Sequence, residues 1–589
     1  MSFSSLIFVA AFLPLFLVSY TLVPGGERKN TLLLLFSVLF YLFAGIPYLL
    51  LLLAETALVF WIAKKMERNA ESSTARKEVS EVERCTEGKE ASEAERSGEK
   101  IETAEADSAK EERRRSRLLW LGILPVLLLL AFFKYFNPLT ELLGESRLPR
   151  LALPLGMSFY SFKLLSYLAD CWQGRCGAKR YRELLLYVLM FPEVSQGPIT
   201  RLSELSEELS ERSQSWGDAA EGLFRFSVGL GKKTLLADHA GALAEQLLPL
   251  DFLSAGSTVS GGAACLAALC YMLQLYLDFS AYSDMAIGLG RFCGFHFPEN
   301  FNYPYAARSV RDFWRRWHIS LSGFFRDYVY IPLGGNRAGF GRMLRNSLAV
   351  WLLTGIWHGS SMNFVLWGLY YFFFLTIESL LRRWSRSARG GRLRELGAHL
   401  PKQLLSLLAH CYTLLVVYFG WVLFRFSDFR ALRAALGRML GFGGGEFLDS
   451  FTWLMLRNNL FFLLLCLIAA TPLMRLLGNR MRSSMKRAED LRRKSLRRQR
   501  ETQETADFAD DSLEGLLPQE LPAETAFSAD THSQAYQRLR RKIRRRRGEA
   551  ERAEAVYYLE RTVIALCLLA LSVLQMVGSS YVPFLYNQF

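Results

Sequence analysis

The stretch SLAVWLLTGIWHGSSMNF (Ser347–Phe364) carries one histidine, His358, in a run with no Asp, Glu, Lys or Arg. Arg345 stands just before it, and a helix rising 1.5 Å per residue would carry His358 roughly 18–20 Å from that arginine. A hydrocarbon core is about 30 Å thick, so His358 is expected well inside it. Gly359-Ser360-Ser361 then reads as a break, and Asn363–Leu381 returns the chain to Arg382-Arg383. Basic residues at both ends point to a hairpin entered from the cytoplasm, with His358 near its tip. An ionisable group at that depth is costly and is a functional-site hypothesis by default. Depth alone leaves two readings open: a neutral imidazole bonding between helices, or a general base for a hydroxyl.

Outward from this hairpin the chain keeps the same character. Its 589 residues are 51% hydrophobic and 13% aromatic, and the apolar ones gather in blocks such as Leu118–Phe133, Leu404–Leu423 and Leu460–Thr471. Stretches of about 17–25 apolar residues cross a bilayer, and there are too many here for one soluble core. Further spans are expected near Leu118–Phe136, Ala152–Trp172, Leu184–Pro192, Phe224–Leu248, Ala263–Phe292 and Leu404–Phe424. Met1–Tyr20 has no Lys or Arg before its apolar run, so it reads as a retained first span, not a cleaved signal. Thr31–Ala63 is too long for one span, and Gly45-Ile46-Pro47 divides it into two helices.

The formal charge of +15 sits beside spans or within two inserts. That placement fits the positive-inside rule and anionic lipid better than nucleic acid. Both inserts are rich in charge and poor in aromatics, and cannot bury enough apolar area to offset ordering entropy. The expected organisation is residues 1–63 as N-terminal spans, 64–117 as a charged cytoplasmic insert and 118–479 as the core. A second charged cytoplasmic insert occupies 480–557, and 558–589 form a last span and outer tail.

SVRDFWRRWHISLSGFFRDYVYIP (Ser309–Pro332) places apolar residues at steps of three and four, which predicts one amphipathic helix lying in the membrane interface. His318 falls on its polar edge, in line with Arg311, Arg315 and Ser322. Other signals fail. Gly229–Thr234 lacks the glycine and hydroxyl that a P-loop requires, and no HExxH or G-x-S-x-G is present. Nine scattered cysteines give neither zinc-site spacing nor a disulfide framework, so no metal site is expected.

Six stretches together resemble the membrane-bound O-acyltransferase superfamily, in particular its bacterial polysaccharide O-acetyltransferase branch, typified by alginate acetylation. They are PLGMSFYSF (Pro154–Phe162), FPEVSQGPITR (Phe191–Arg201), LDFSAYSDMAIGLG (Leu277–Gly290), FPENFNYPY (Phe297–Tyr305), DFWRRWHISLSGFFRDYVYIPLGGNR (Asp312–Arg337) and GIWHG (Gly355–Gly359). The resemblance implies an all-α polytopic fold. A ring of transmembrane helices, with interfacial and re-entrant helices, would surround a central tunnel, and 118–479 would be the catalytic core. It implies that His358 is the catalytic histidine and His318 a second, supporting one. Asp312, Arg315 and Arg316 match the same motif, and the resemblance assigns them no specific role. Both inserts look longer than the family usually carries.

The resemblance further implies a cytoplasmic acyl donor, acetyl-CoA, with no tightly bound cofactor. His358 would take the proton of an attacking hydroxyl. The acceptor would be a sugar hydroxyl of a surface or secreted polysaccharide, or a serine on an extracytoplasmic partner acyltransferase. The protein would reside in the cell (inner) membrane, in contact with lipid. Three other readings stand beside this one, the last a scaffold for a polysaccharide export complex with the inserts as docking arms. D-alanyl transfer to teichoic acid from a carrier protein uses the same superfamily chemistry. A proton-coupled transporter would relay through Asp278, Asp284 and His358, although no internal repeat of the kind transporters show is visible.

Overall fold

A computed structural model describes residues 1–86, 93–144, 149–254, 258–337, 339–386, 401–442, 446–473, 523–578 and 582–585, with scattered positions between 476 and 497. Within 72–108 and 523–540 the description is of backbone alone. Half of the second charged insert, including most of its acidic middle, therefore lies outside the described residues, as do residues 586–589.

Helix is the only regular secondary structure among the described residues. In chain order the helices are α1 (Leu13–Leu22), α2 (Glu27–Leu42), α3 (Ile46–Thr86), α4 (Glu93–Leu142), α5 (Met157–Trp172), α6 (Tyr181–Leu189), α7 (Leu202–Ser210), α8 (Trp216–Gly231) and α9 (Asp238–Leu247). They continue with α10 (Gly261–Phe292), α11 (Val310–Trp314), α12 (Ile319–Phe325), α13 (Phe340–His358), α14 (Met362–Arg386), α15 (Lys402–Arg425), α16 (Phe429–Met439), α17 (Ser450–Ala470) and α18 (Ala523–Gly578). Among the described residues, seven helical stretches are long and apolar enough to cross a membrane: Ile46–Glu71, Ala109–Leu142, Gly261–Phe292, Met362–Ser385, Lys402–Arg425, Ser450–Ala470 and Glu554–Gly578. The protein is an all-α polytopic membrane protein. Met1–Ala470 and Leu568–Phe589 form one compact unit, and Thr471–Cys567 form another.

Burial separates core helices from lipid-facing ones. The apolar window of α10 is 78% buried, against 17% for α17, so α10 is the central post of the larger unit. Leu121, Leu124 and Leu128 on α4, and Phe461 and Leu464 on α17, are exposed. Rows of exposed leucine and phenylalanine are an aggregation hazard in water and the ordinary surface of a helix in lipid.

Three of the expected spans are something else. The Leu184–Pro192 block is the nine-residue helix α6, and at 1.5 Å per residue it reaches less than half of a core about 30 Å thick. Ala152–Trp172 becomes the 16-residue α5. Phe224–Leu248 is split among α8, a π-helical turn at Lys232–Ala237 and α9. Most of α5 and α6 is buried, so their apolarity answers to protein packing and not to lipid. The P-loop-like Gly229–Thr234 runs through that helix end and π turn, with no loop to cradle a phosphate.

Two devices fix the region around His358. The hairpin of α13 and α14 is drawn close by Gly355 and Gly368: a Cβ on the first would lie 2.5 Å from Phe364 O, and on the second 2.3 Å from Trp351 O. The other is the entry to α5. Gly156 precedes it at φ +69°, and a Cβ there would fall 1.8 Å from Val194 O. Gly156→Ala is expected to destabilise the protein by about 1–3 kcal/mol from overpacking, with ~1–2 kcal/mol more for a side chain in the left-handed region. A thermal melt in detergent reads the sum, and an unshifted melt would show that the α5 entry can yield.

The segment at 582–585 is also part of this core. Phe584 is fully buried against Tyr282, Leu585 N–H donates to Asp278 Oδ2 at 2.8 Å, and Lys233 Nζ donates to Pro583 O at 3.2 Å.

Candidate active site

His358 is the last residue of α13, and Gly359 leaves the helix in extended conformation. Its ring is buried and meets Trp357, Trp367 and Phe424 at centroid distances of 4.7, 5.0 and 5.2 Å. Asn363, in the first turn of α14, donates through Nδ2 to Leu423 O and Phe424 O at 3.3 and 3.1 Å. Carbonyls at a helix C-terminus lack intrahelical donors, so this amide both satisfies two of them and holds Phe424 beside His358.

His358 faces a cavity of about 190 Å³, lined also by Lys134, Ser158, Ser195, Phe159 and Trp357. Trp357 organises this space. Its indole N–H donates to Ser158 O at 3.4 Å, while its own carbonyl accepts from Lys134 Nζ, whose ammonium also lies 5.5 Å from the indole ring. Ser195 is paired with the Tyr282 hydroxyl at 2.6 Å. Sequence reasoning missed Lys134, although a lone lysine in the apolar run Leu118–Phe136 carries the same signal as a buried histidine. Ser158 and Ser195 lie in quoted motifs, but nothing in their spacing set them apart.

His318 is not on the polar edge of a continuous helix. The Ser309–Pro332 stretch breaks into α11, a turn, α12 and a π-helical turn at Arg326–Tyr330. His318 occupies the break at φ +44° and is buried, while Arg315 is exposed and Arg316 pairs with Asp312 at 3.1 Å. A left-handed conformation is uncommon for a residue with a side chain and persists only where its surroundings enforce it. Those surroundings are Phe279 at 4.8 Å, Trp357 at 6.2 Å and Phe159 at 6.4 Å between ring centroids. Trp357 thus touches both histidines.

The tautomer of His318 follows from its partner. Asn300 Oδ1 receives the Ser320 N–H at 3.3 Å and the Ser320 hydroxyl at 2.9 Å, so the atom 3.1 Å from His318 Nδ1 is an acceptor. Nδ1 therefore carries the proton and Nε2 the lone pair. Nε2 is buried and has no hydrogen-bond partner among the described residues. Asn300→Leu should cut acyl transfer about tenfold, the rate equivalent of one hydrogen bond. Product formed per amount of membrane-inserted protein measures this, and an unchanged rate would leave His318 a packing residue.

The two carboxylates of the transporter reading are both committed. Asp278 accepts from Lys233 at 2.7 Å, and Asp284 from Lys232 at 2.6 Å and Arg225 at 2.9 Å. Among the described residues no three His, Cys, Asp or Glu side chains gather as metal ligands.

Comparison with known proteins gives this arrangement a family. The sequence model described as "MBOAT, membrane-bound O-acyltransferase family" matches residues 177–420, which include both histidines. The probable alginate O-acetylase AlgI of Pseudomonas aeruginosa is 34% identical over 454 residues, covering 75% of each chain. The chain belongs to the membrane-bound O-acyltransferase family. Other members extend the comparison: the peptidoglycan O-acetyltransferase of Helicobacter pylori is 30% identical over 75% of this chain and 80% of its own. The teichoic acid D-alanyltransferase of Bacillus subtilis is 27% identical over 39% of this chain and 60% of its own. The membrane-bound O-acyltransferase fold thus supplies the setting of the cavity, and the protein is an O-acyltransferase.

Proposed function

We propose that this enzyme moves an acetyl group from acetyl-CoA, on the cytoplasmic side of the cell membrane, for O-acetylation of a cell-surface or secreted polysaccharide. The observation that carries the reading is His358 at the tip of a glycine-locked hairpin, lining a cavity beside two serines and a lysine. The neutral imidazole takes the proton of the acceptor hydroxyl as its oxygen attacks the thioester carbonyl. The thiolate then leaves and is protonated by the imidazolium. His318 is a positioning residue: anchored through Nδ1 to Asn300, its ring packs beside Trp357, the neighbour it shares with His358. The acceptor hydroxyl belongs to a serine of an extracytoplasmic partner acyltransferase, which passes the acetyl group to the polymer. Long relatives of acetyl-transferring name support the acetyl donor, while the D-alanyltransferase match covers a smaller share of the chain.

The test offers inverted membrane vesicles of the native strain either [14C]acetyl-CoA or a carrier protein charged with [14C]D-alanine. Base-labile label accumulating on lumenal protein or polymer from acetyl-CoA supports the proposal. Label taken only from the charged carrier replaces it with D-alanyl transfer.

A further inference from the structure

The cavity meets α5 end-on. Pro154, Gly156, Met157, Ser158 and Phe159 line it, and these are the residues that lead into α5 and form its first turn. The N–H groups of Met157 and Phe159 in this first turn are taken, by Pro154 O at 3.1 Å and Gly156 O at 2.9 Å, but the aligned peptide dipoles still leave that end electropositive. In α5 no acidic residue stands in the first turn to offset this. No carboxylate lines the cavity either, whereas the Lys134 ammonium does. The space is built to receive negative charge.

A second observation comes from Ser158 itself. The residue is only 8% exposed, and its hydroxyl has no hydrogen-bond partner among the described residues. A helical serine ordinarily turns its hydroxyl back to the carbonyl four residues earlier. Here the hydroxyl makes no bond to that carbonyl, Pro154 O, which accepts from Met157 N–H at 3.1 Å. Buried hydroxyls rarely stay unpaired, and one that does needs a reason. The indole of Trp357 fixes the backbone of Ser158 at 3.4 Å, and His358 is the next residue along from that indole. The orphaned donor and the imidazole are therefore registered through one side chain.

We propose that the Ser158 hydroxyl and the N-terminus of α5 hold the oxyanion formed in acyl transfer, an inference that rests on the acyl-transfer reading of His358. The acceptor oxygen forms its bond to the acyl carbon as its proton passes to His358, and the carbonyl π electrons move onto oxygen. Ser158 Oγ–H and the helix end stabilise that oxygen. Its electrons then re-form the carbonyl, the carbon–sulfur bond breaks, and the imidazolium returns the proton to sulfur. Donors aimed at the developing charge favour the transition state over the ground state, so they act on the maximal rate more than on donor binding.

The experiment compares Ser158→Ala, Ser158→Cys, Ser158→Thr and His358→Ala in the full-length protein, in inverted vesicles with [14C]acetyl-CoA as the probe. Ser158→Ala is expected to lower the maximal rate about 100- to 1,000-fold, the effect of losing one oxyanion donor, with the half-saturating acetyl-CoA concentration unchanged. Ser158→Thr, which keeps the hydroxyl, should retain most of the rate. Ser158→Cys, a poor donor of nearly the same size, should fall with Ser158→Ala, and it carries the test if the alanine variant does not accumulate. A wild-type rate in Ser158→Ala or Ser158→Cys beside an inactive His358→Ala would overturn this inference and leave the acyl-transfer reading intact. An acetyl ester found on Ser158 by mass spectrometry would also overturn it, in favour of a covalent nucleophile. A fully active His358→Ala would bring down the underlying reading instead.

Discussion

Replacing His358 with alanine should lower acyl transfer about 100- to 10,000-fold, the range attributed to a positioned general base. The physical case is that nothing else in the cavity is equipped to take the proton. Lys134 donates to Trp357 O, Ser195 is paired with Tyr282, and serine hydroxyls are poor bases. The fold should survive, because Trp357, Trp367 and Phe424 close around the site from three helices and the Gly355–Gly368 seam does not involve the imidazole. The measurement is O-acetyl content of the cell-surface polymer beside an immunoblot of the membrane fraction. Undiminished acetylation in cells whose membranes hold the variant would sink the assignment of His358 as base.

The second large effect is on stability and concerns Lys163→Met. Lys163 Nζ lies 2.8 Å from Glu193 Oε2 with both side chains sealed from solvent, at 2% and 0% exposure. Lys163 also donates to Tyr187 O at 3.1 Å, and Glu193 accepts from the Thr200 hydroxyl at 2.5 Å. Deleting the lysine leaves a buried carboxylate without its counter-ion, which costs about 3–5 kcal/mol. Removing both charges is far less damaging, so Lys163→Met with Glu193→Gln should melt closer to the parent than the single variant does. Activity should follow stability, because Ser195 stands two residues beyond Glu193 and reaches the cavity on the same loop. Thermal melts of the three variants in detergent decide it. A single variant that melts with the parent would show that other groups satisfy Glu193.

The part of this site legible in the sequence is the part marked by contrast. His358 stands in an uncharged run bounded by arginines, and the Gly-Ser-Ser break gives the hairpin away, so its place at the end of α13 follows from simple arithmetic. The division at Gly45-Ile46-Pro47 is of the same kind, with α2 ending at Leu42 and α3 starting at Ile46. Where apolar residues face protein instead of lipid the contrast vanishes. Leu184–Leu189 reads like part of a span and is a short buried helix. The period of three and four in Ser309–Pro332 was genuine, but two short helices in series share it, and the left-handed turn at His318 leaves no trace in a hydrophobic pattern. The partners that define the chemistry are distant pairings: Asn300 with His318, Lys163 with Glu193, and Trp357 with Ser158, 199 residues apart. Periodicity carries no information about such pairs.

The docked residues 582–585 bear on how the enzyme is made. Leu585 meets Asp278 across 307 residues of intervening chain. A ribosome feeding this chain into the bilayer therefore completes α8, α9 and α10 long before the peptide that lies against them exists. Until it is translated, Asp278 lacks one of its donors, and the slot beside Tyr282 that Phe584 fills has no occupant. Closing so long a loop is slow on the scale of local helix formation. The nascent enzyme thus passes through a stage with its spans inserted and its central post incompletely sheathed, the stage at which membrane chaperones and quality-control proteases have something to grip.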